Sequence, residues 1–160
     1  MSCLIVYASR NGSTEKCALN LHEKLDDSVI LNLEECSPPL SEFNTIIIGS
    51  CIRFGKIHKL AREFINTNLD ILLQKKVAIF ICCGMQEQVE DHFKLNFPPA
   101  LLEHAMAAVS LGGEFPDHPG KRLDAFVLRQ VRKNFSKEKK PLPHIDEDKI
   151  DALARTVCNP

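Results

Sequence analysis

A group of small polar residues follows an apolar segment close to the N-terminus. The stretch IVYASRNGST, residues 5–14, runs from apolar side chains into Ser9, Gly12, Ser13 and Thr14 and contains no acidic residue. Hydroxyl groups and the unpaired amides at a helix N-terminus can donate to an anion, and the helix dipole favours negative charge there. Glycine lets the backbone approach a ligand closely. We therefore interpret this loop as a phosphate site built from neutral donors.

Better-known phosphate loops do not fit this stretch. A dinucleotide-binding loop needs G-x-G-x-x-G and a P-loop needs G-x-x-x-x-G-K-[ST], whereas Gly12 is the only glycine of the stretch. A phospho-receiver domain would carry carboxylates at the end of the first strand, where Ser9 stands. The structural alternative is a simple helix cap. A capping box, however, would have Glu or Gln where Lys16 stands, and a cap needs only one hydroxyl.

The elements that position this loop alternate between strands and helices. Buried or β-branched runs predict five strands: Cys3–Ala8, Val29–Leu33, Thr45–Gly49, Val77–Cys83 and Ala107–Gly113. Helical spacing predicts a helix from Ser13, one around residues 60–69, a region broken at Pro98–Pro99, and two final helices over Arg122–Phe135 and Asp146–Val157. This order predicts an α/β fold with a mostly parallel sheet covered on both faces, because parallel neighbours need crossover connections. Ligands of such sheets bind beyond the carboxyl ends of the strands. The loops GSCIRFG (49–55) and CCGMQ (82–86) therefore join the first loop there.

Composition sets the class of protein. With 160 residues, 44% of them apolar, the chain is expected to form a single domain over residues 1–160. No segment reads as a membrane span or a signal peptide, and seven cysteines without a C-x-x-C pair favour reduced thiols in the cytoplasm. The histidines show no metal spacing, and no nucleic-acid partner is predicted. Residues 121–140 carry eight Lys and Arg against two acidic residues, which is most simply a solvated helix face.

Two loops resemble known families. IVYASRNGST resembles the phosphate loop of flavodoxins, which implies flavin mononucleotide (FMN) as cofactor and a flavodoxin-like three-layer sandwich of strand order 2-1-3-4-5. IGSCIRFGKIHKLAREF, residues 48–64, resembles bacterial menaquinone-dependent protoporphyrinogen oxidases, as does the extra basic helix before the last one. The chain departs from those oxidases between the fourth and fifth strands. They carry a long basic insertion there, tied to their activity, and residues 86–105 are short and acidic.

The resemblance implies flavin contacts in all three loops. Phe54 would lie against the isoalloxazine ring, a stacking worth about 1 kcal/mol, and its alternative is a core phenylalanine. Gly55 would permit a peptide flip that turns a backbone carbonyl toward the flavin. Flavodoxins often place a second aromatic in the third loop, and this chain has none there, so one flavin face would be open. The predicted cofactor-binding residues are Ser9, Arg10, Asn11, Gly12, Ser13, Thr14, Ser50, Cys51, Ile52, Arg53, Phe54, Gly55, Cys83, Gly84, Met85 and Gln86.

Two main functions are compatible with these residues. The first is an FMN-dependent oxidoreductase, resembling protoporphyrinogen oxidase and using a quinone or a redox protein as acceptor, with Arg53 as the candidate functional charge. The second is a flavodoxin-type electron carrier; such carriers tend to be strongly acidic around the flavin, unlike SCIRFGK and a pI near 6.6. A flavin-binding regulator is a weaker third class. The stretch 121–140 could also contact the inner face of the membrane as a basic amphipathic helix.

Overall fold

The computed structural model describes residues 2–36, 38–115 and 122–159, with the backbone alone described for residues 122–124. The strands are β1 (Cys3–Ala8), β2 (Ser28–Asn32), β3 (Thr45–Arg53), β4 (Lys56–Ile57), β5 (Lys76–Cys82) and β6 (Ala107–Ser110). The helices are α1 (Ser13–Lys24), α2 (Lys59–Leu72), α3 (Val89–Asn96), α4 (Pro99–His104), α5 (Arg122–Lys137) and α6 (Glu147–Cys158). Short 3-10 turns occupy Leu40–Glu42 and Gln86–Gln88.

Five strands form a parallel sheet in the order β2-β1-β3-β5-β6, and β4 pairs antiparallel with β3. Counted over the parallel strands alone, this is the predicted order 2-1-3-4-5. The prediction of an α/β flavodoxin-like fold is therefore confirmed, with β4 as an addition.

Alternate residues of each central strand supply the two cores. On one face Ile5 and Phe80 pack with Leu21 of α1 and Leu153 of α6. On the other face the buried set includes Leu4, Val6, Ile48, Phe64, Ile79, Ile81, Phe93 and Leu101. All residues of β1 and all residues of β5 after Lys76 are buried. The reason is that helices cover both faces of a parallel sheet. The result is a rigid three-layer frame.

The predicted end of β3 needs correction. We expected the strand to stop at Gly49, but it runs on to Arg53 and folds back through a two-residue turn into β4. The turn residues Phe54 and Gly55 have φ values of 49° and 73°, the left-handed pair that a type I′ hairpin turn requires. Asn96 of α3 fixes this hairpin, since its Nδ2 donates to Gly55 O at 2.8 Å and its Oδ1 accepts from Ile57 N at 3.0 Å.

Candidate functional site

The loops that leave the carboxyl ends of β1, β3, β5 and β6 surround one cavity of about 340 Å³, called here the central cavity. Its walls include all the predicted cofactor-binding residues except Gly12, Ser50 and Gln86. The structure adds residues that were not predicted: Cys82, Gln88, His92, Gly113, Glu114, Phe115, Val127, Leu128 and Val131. The topology thus brings the three predicted loops together at one place.

The first loop supplies three hydroxyl groups, of which two accept from backbone amides. Ser9 Oγ accepts from Gly12 N at 3.1 Å, and Ser13 Oγ accepts from Glu114 N at 3.1 Å. Thr14 Oγ1 is fully buried, lies beside the Cys82 thiol, and has no hydrogen-bond partner by distance and angle among the described residues. A buried hydroxyl without a partner is costly and calls for an explanation. Thr14 is therefore the polar group of this loop whose partner is still to be identified.

The N-terminus of α1 has no side-chain cap. Gly12 occupies the N-cap position with φ of 86° and has no side chain that could cap the first amides of α1, so the helix-cap alternative is wrong for this loop. A Cβ on Gly12 would touch nothing within 4 Å, hence glycine is favoured by the left-handed backbone and not by crowding. Gly12 does not line the central cavity.

The second loop projects Phe54 from the hairpin tip. Its side chain is 70% exposed, and the Arg53 guanidinium carbon lies 5.3 Å from the ring centroid. The alternative of a core phenylalanine is therefore excluded. Ser50, by contrast, is buried below the cavity, where its Oγ accepts from His58 N at 2.9 Å. His58 in turn caps α2 by accepting from Leu60 N at 3.3 Å, which is a structural role.

The third loop is braced internally. Gln86 Nε2 donates to Cys83 O at 2.9 Å and to Ser110 Oγ at 3.3 Å, so its side chain ties the loop to β6 and does not line the central cavity. Cys83 N donates to Gly112 O at 2.9 Å, and Cys83 Sγ contacts the backbone of Met85. Of the amides predicted around Gly84, those of Cys83 and Met85 thus already have partners.

Two neighbouring thiols lie beneath this loop. Cys82 Sγ is 3.6 Å from Cys17 Sγ, both thiols are buried and both cysteines are free. The hydrogen bond with Cys17 and burial raise the pKa of the Cys82 thiol well above its usual value. Cys82 packs with Cys17 in the core, whereas Cys83 Sγ contacts the backbone of Met85.

An aromatic residue missed by the sequence reasoning stands on the wall contributed by the loop after β6. Phe115 lines the cavity and packs edge-on against Phe135 of α5, with ring centroids 5.7 Å apart. The signal was present in LGGEF, because two glycines end a strand at the same edge as the three chosen loops. The third loop has no aromatic residue, as expected, but a second aromatic reaches the cavity from the loop after β6.

His92 is the other unpredicted residue with polar chemistry. It lies on α3, is 5% exposed, and neither ring nitrogen has a hydrogen-bond partner among the described residues. Nothing in the periodicity of α3 marked this histidine, because its position depends on how α3 meets the hairpin. Like Thr14, it leaves an unpaired polar group at the central cavity.

The basic helix α5 closes one side of the cavity with Val127, Leu128 and Val131. On the same helix Phe135 also packs inward, against Phe115, whereas Phe126 is 68% exposed. The side chain of Leu123 and residue Lys121 lie outside the described residues. Most of the described apolar side chains of α5 therefore cover the domain's own cavity.

The described residues also bear on membrane spans and metal sites. None of the helices they form has the length and apolar character needed to span a bilayer. Within the same residues, no three His, Cys, Asp or Glu side chains are grouped so that they could hold a metal ion.

The family follows from a match over most of the sequence. Residues 4–143 match the family model described as flavodoxin domain. The chain belongs to the flavodoxin-domain family. No curated protein matches this flavodoxin-domain chain at a significant level.

Solved structures of similar fold include three with TM-scores of at least 0.50. A flavoprotein in complex with FMN from Lactobacillus acidophilus NCFM has a TM-score of 0.53 and 15% identity, over 68% of this chain and 92% of that one. Rubredoxin oxygen:oxidoreductase from Desulfovibrio gigas has a TM-score of 0.50 and 16% identity, over 86% and 35% of the two chains. A flavo-di-iron protein variant from Thermotoga maritima has a TM-score of 0.50 and 17% identity, over 83% and 36%. At these identities the likeness is one of fold.

Proposed function

We propose that this flavodoxin-domain protein binds FMN in the central cavity and transfers electrons through it. The observation that carries the proposal is the Thr14 hydroxyl, which is buried at the cavity and has no hydrogen-bond partner among the described residues. Thr14 lies in the first turn of α1, where backbone amides are unpaired and the helix dipole favours an anion. A terminal phosphate would satisfy both.

The rest of the cavity suits the flavin ring. Its volume of about 340 Å³ falls in the range usual for cofactor pockets. Its wall carries aromatic and aliphatic side chains from three separate segments: Phe54 from the hairpin, Phe115 from the loop after β6 and Val127 from α5. His92 would supply a polar contact to the ring system or the ribityl chain. The proposed cofactor set is therefore the predicted list without Gly12, Ser50 and Gln86. It is extended by His92, Phe115 and Val127.

When bound, FMN supplies one- and two-electron transfer. The chain's own residues bind and orient it. Thr14, Ser9 and the α1 amides would hold the phosphate, and Phe54 would cover a ring face. Asn96 keeps the hairpin carbonyl of Gly55 turned toward α3, so a flip of this peptide would first have to break a 2.8 Å hydrogen bond. Val127 and its neighbours on α5 would exclude water from one side.

The proposal is tested by reconstituting the purified protein with FMN, removing excess cofactor and reducing it photochemically under anaerobic conditions. We expect a retained, stoichiometric flavin that is reduced and then reoxidised by a one-electron acceptor without loss of cofactor. A protein that elutes colourless after incubation with excess FMN would contradict the proposal.

A second candidate is a quinone-linked oxidase resembling protoporphyrinogen oxidase, attached to the membrane by α5. The exposed Phe126, next to the exposed Arg129, Arg132 and Lys133, favours it. Against it, Val127, Leu128 and Val131 face the cavity and are unavailable to lipid. We therefore expect the protein to stay in the supernatant on sedimentation with phosphatidylserine vesicles at low salt. Vesicle binding that is lost in Phe126→Ser, together with protoporphyrinogen oxidation supported by menaquinone, would establish this candidate instead.

A further inference from the structure

A second depression lies next to the central cavity, on the outer side of the hairpin. It has a volume of about 540 Å³ and is called here the basic groove. Its residues are Arg10, Cys51, Arg53, Phe54, Lys56, Ile57, His58, Lys59 and Arg62. Five of these side chains are cationic, and none of the described residues that line the groove is acidic.

Among the described residues, two side chains of the groove lie near a carboxylate. Lys59 Nζ is 3.5 Å from Glu63 Oε1, and His58 Nε2 is 3.9 Å from Glu34 Oε1. Burial lowers the pKa of His58, and the charge of Arg10 lowers it further, while Glu34 opposes the shift. Arg10 likewise opposes the rise that burial causes in the pKa of Cys51. The positive charge of Arg10 therefore acts on two other residues that line the groove, Cys51 and His58.

The basic groove and the central cavity share a wall. Arg10, Cys51, Arg53 and Phe54 line both. Arg53 also lies over the Phe54 ring, so a molecule seated in the groove would be separated from the contents of the cavity by one layer of side chains. A partner in the groove is thus close enough for electron transfer without entering the cavity.

We infer that the basic groove is the docking surface for an acidic one-electron carrier protein. The inference deepens the proposed function and rests on it: one electron lost by the partner's redox centre is gained by the flavin, or the reverse, and no atom is transferred. This polarity is the opposite of that expected for a flavodoxin-type carrier, which has an acidic surface around its flavin. The expected partner is therefore acidic, whereas the partner of a flavodoxin-type carrier is basic.

Exposure of the charges favours a protein partner over a small anion. Arg10, Lys56 and Lys59 are exposed, and they come from the loop after β1, the hairpin and the start of α2. Charges of this kind stay hydrated and act at the rim of transient interfaces, where they raise association rates. A small anion held tightly would need converging, buried donors instead.

The test uses a plant-type [2Fe–2S] ferredoxin as the acidic probe and mitochondrial cytochrome c as the basic one. Affinity is measured by isothermal titration calorimetry at about 20 and about 300 mM NaCl, with and without FMN, so that the salt dependence reports on exposed charges. The variants are K56E/K59E and the milder K56Q/K59Q, whose residues are outside the proposed cofactor set. The matched control is K75E/K76E, which makes the same change in net charge. These residues lie at the amino end of β5, whereas the groove lies at the carboxyl ends of the strands.

We expect ferredoxin to bind the wild type at low salt and its affinity to fall at least about 10-fold at high salt. K56E/K59E should lose at least about 10-fold at low salt, K56Q/K59Q should be intermediate, and the control should change less than about 2-fold. Stopped-flow reduction of the flavin by reduced ferredoxin should follow the same order, while cytochrome c should bind better to K56E/K59E than to the wild type.

The inference is overturned if ferredoxin does not bind at low salt, or if K56E/K59E and K75E/K76E lose affinity equally. Saturable displacement of ferredoxin by citrate at constant ionic strength would show a small-anion site and would overturn it as well. Failure of the protein to retain FMN contradicts the proposed function and leaves the calorimetric result on the groove readable, because binding of ferredoxin is also measured without FMN.

Discussion

Substitution of Thr14 by valine separates the stability of the protein from its affinity for a phosphate. The Thr14 hydroxyl is fully buried, and the only polar group beside it among the described residues is the weakly hydrogen-bonding Cys82 thiol, so its removal takes no strong internal bond away. We expect Thr14→Val to leave the free energy of unfolding of the FMN-free protein unchanged or to raise it by about 1 kcal/mol. A hydrogen bond to a charged acceptor is worth about 1.5–3 kcal/mol, so FMN affinity should fall about 10- to 100-fold.

The chain supplies a matched control in Thr45. Its hydroxyl is also buried without a partner, but it begins β3 at the amino end of the sheet, far from the loops. Thr45→Val should therefore change stability as Thr14→Val does and leave FMN affinity unaltered. Urea unfolding gives the stability and quenching of flavin fluorescence gives the affinity. The reasoning is refuted if Thr14→Val destabilises the FMN-free protein by more than about 1 kcal/mol, since the hydroxyl would then have an internal partner.

Three further substitutions or modifications test the site. Phe54→Ala should weaken FMN binding about 5- to 10-fold and shift the flavin absorption, because the stacking of its ring is worth about 1 kcal/mol. The melting temperature should not fall, because the ring is 70% exposed; unfolding of the variant would contradict this. Asn96→Ala removes two hydrogen bonds to the hairpin and should lower the free energy of unfolding by about 1–3 kcal/mol, measured in urea; an unchanged midpoint would show that the hairpin is held otherwise. With a disulfide reagent at pH 8, the exposed Cys36 and Cys158 should react first, and Cys3 should resist, because burial raises its pKa to about 11; mass spectrometry identifies the labelled thiols.

The layered frame was predictable because its signal is local. Runs such as VAIFICC are buried on both faces, and that composition alone indicates a central parallel strand. Strand ends were less predictable, since β3 continues to Arg53 only because Phe54 and Gly55 adopt left-handed conformations together. A phenylalanine at positive φ is rare, and no propensity argument would place it there.

The candidate site was predictable where it depends on loops and not where it depends on packing between distant elements. Ser9 follows β1 directly and Thr14 lies in the first turn of the next helix, so their location at the carboxyl end of the sheet is a matter of topology. His92, Phe115 and Val127 reach the cavity only through the placement of α3, the loop after β6 and α5. That placement is set by tertiary contacts such as Phe115 against Phe135, which a single sequence does not reveal.

The central claim, a cavity built around a terminal phosphate at the N-terminus of α1, is tested most directly by comparing flavins in one titration. The FMN-free protein is titrated with FMN, FAD and riboflavin, with quenching of flavin fluorescence as the readout. We expect FMN to bind at least about 100-fold more tightly than riboflavin or FAD, corresponding to about 3 kcal/mol from the phosphate contacts. Equal affinities for FMN and riboflavin would contradict the account.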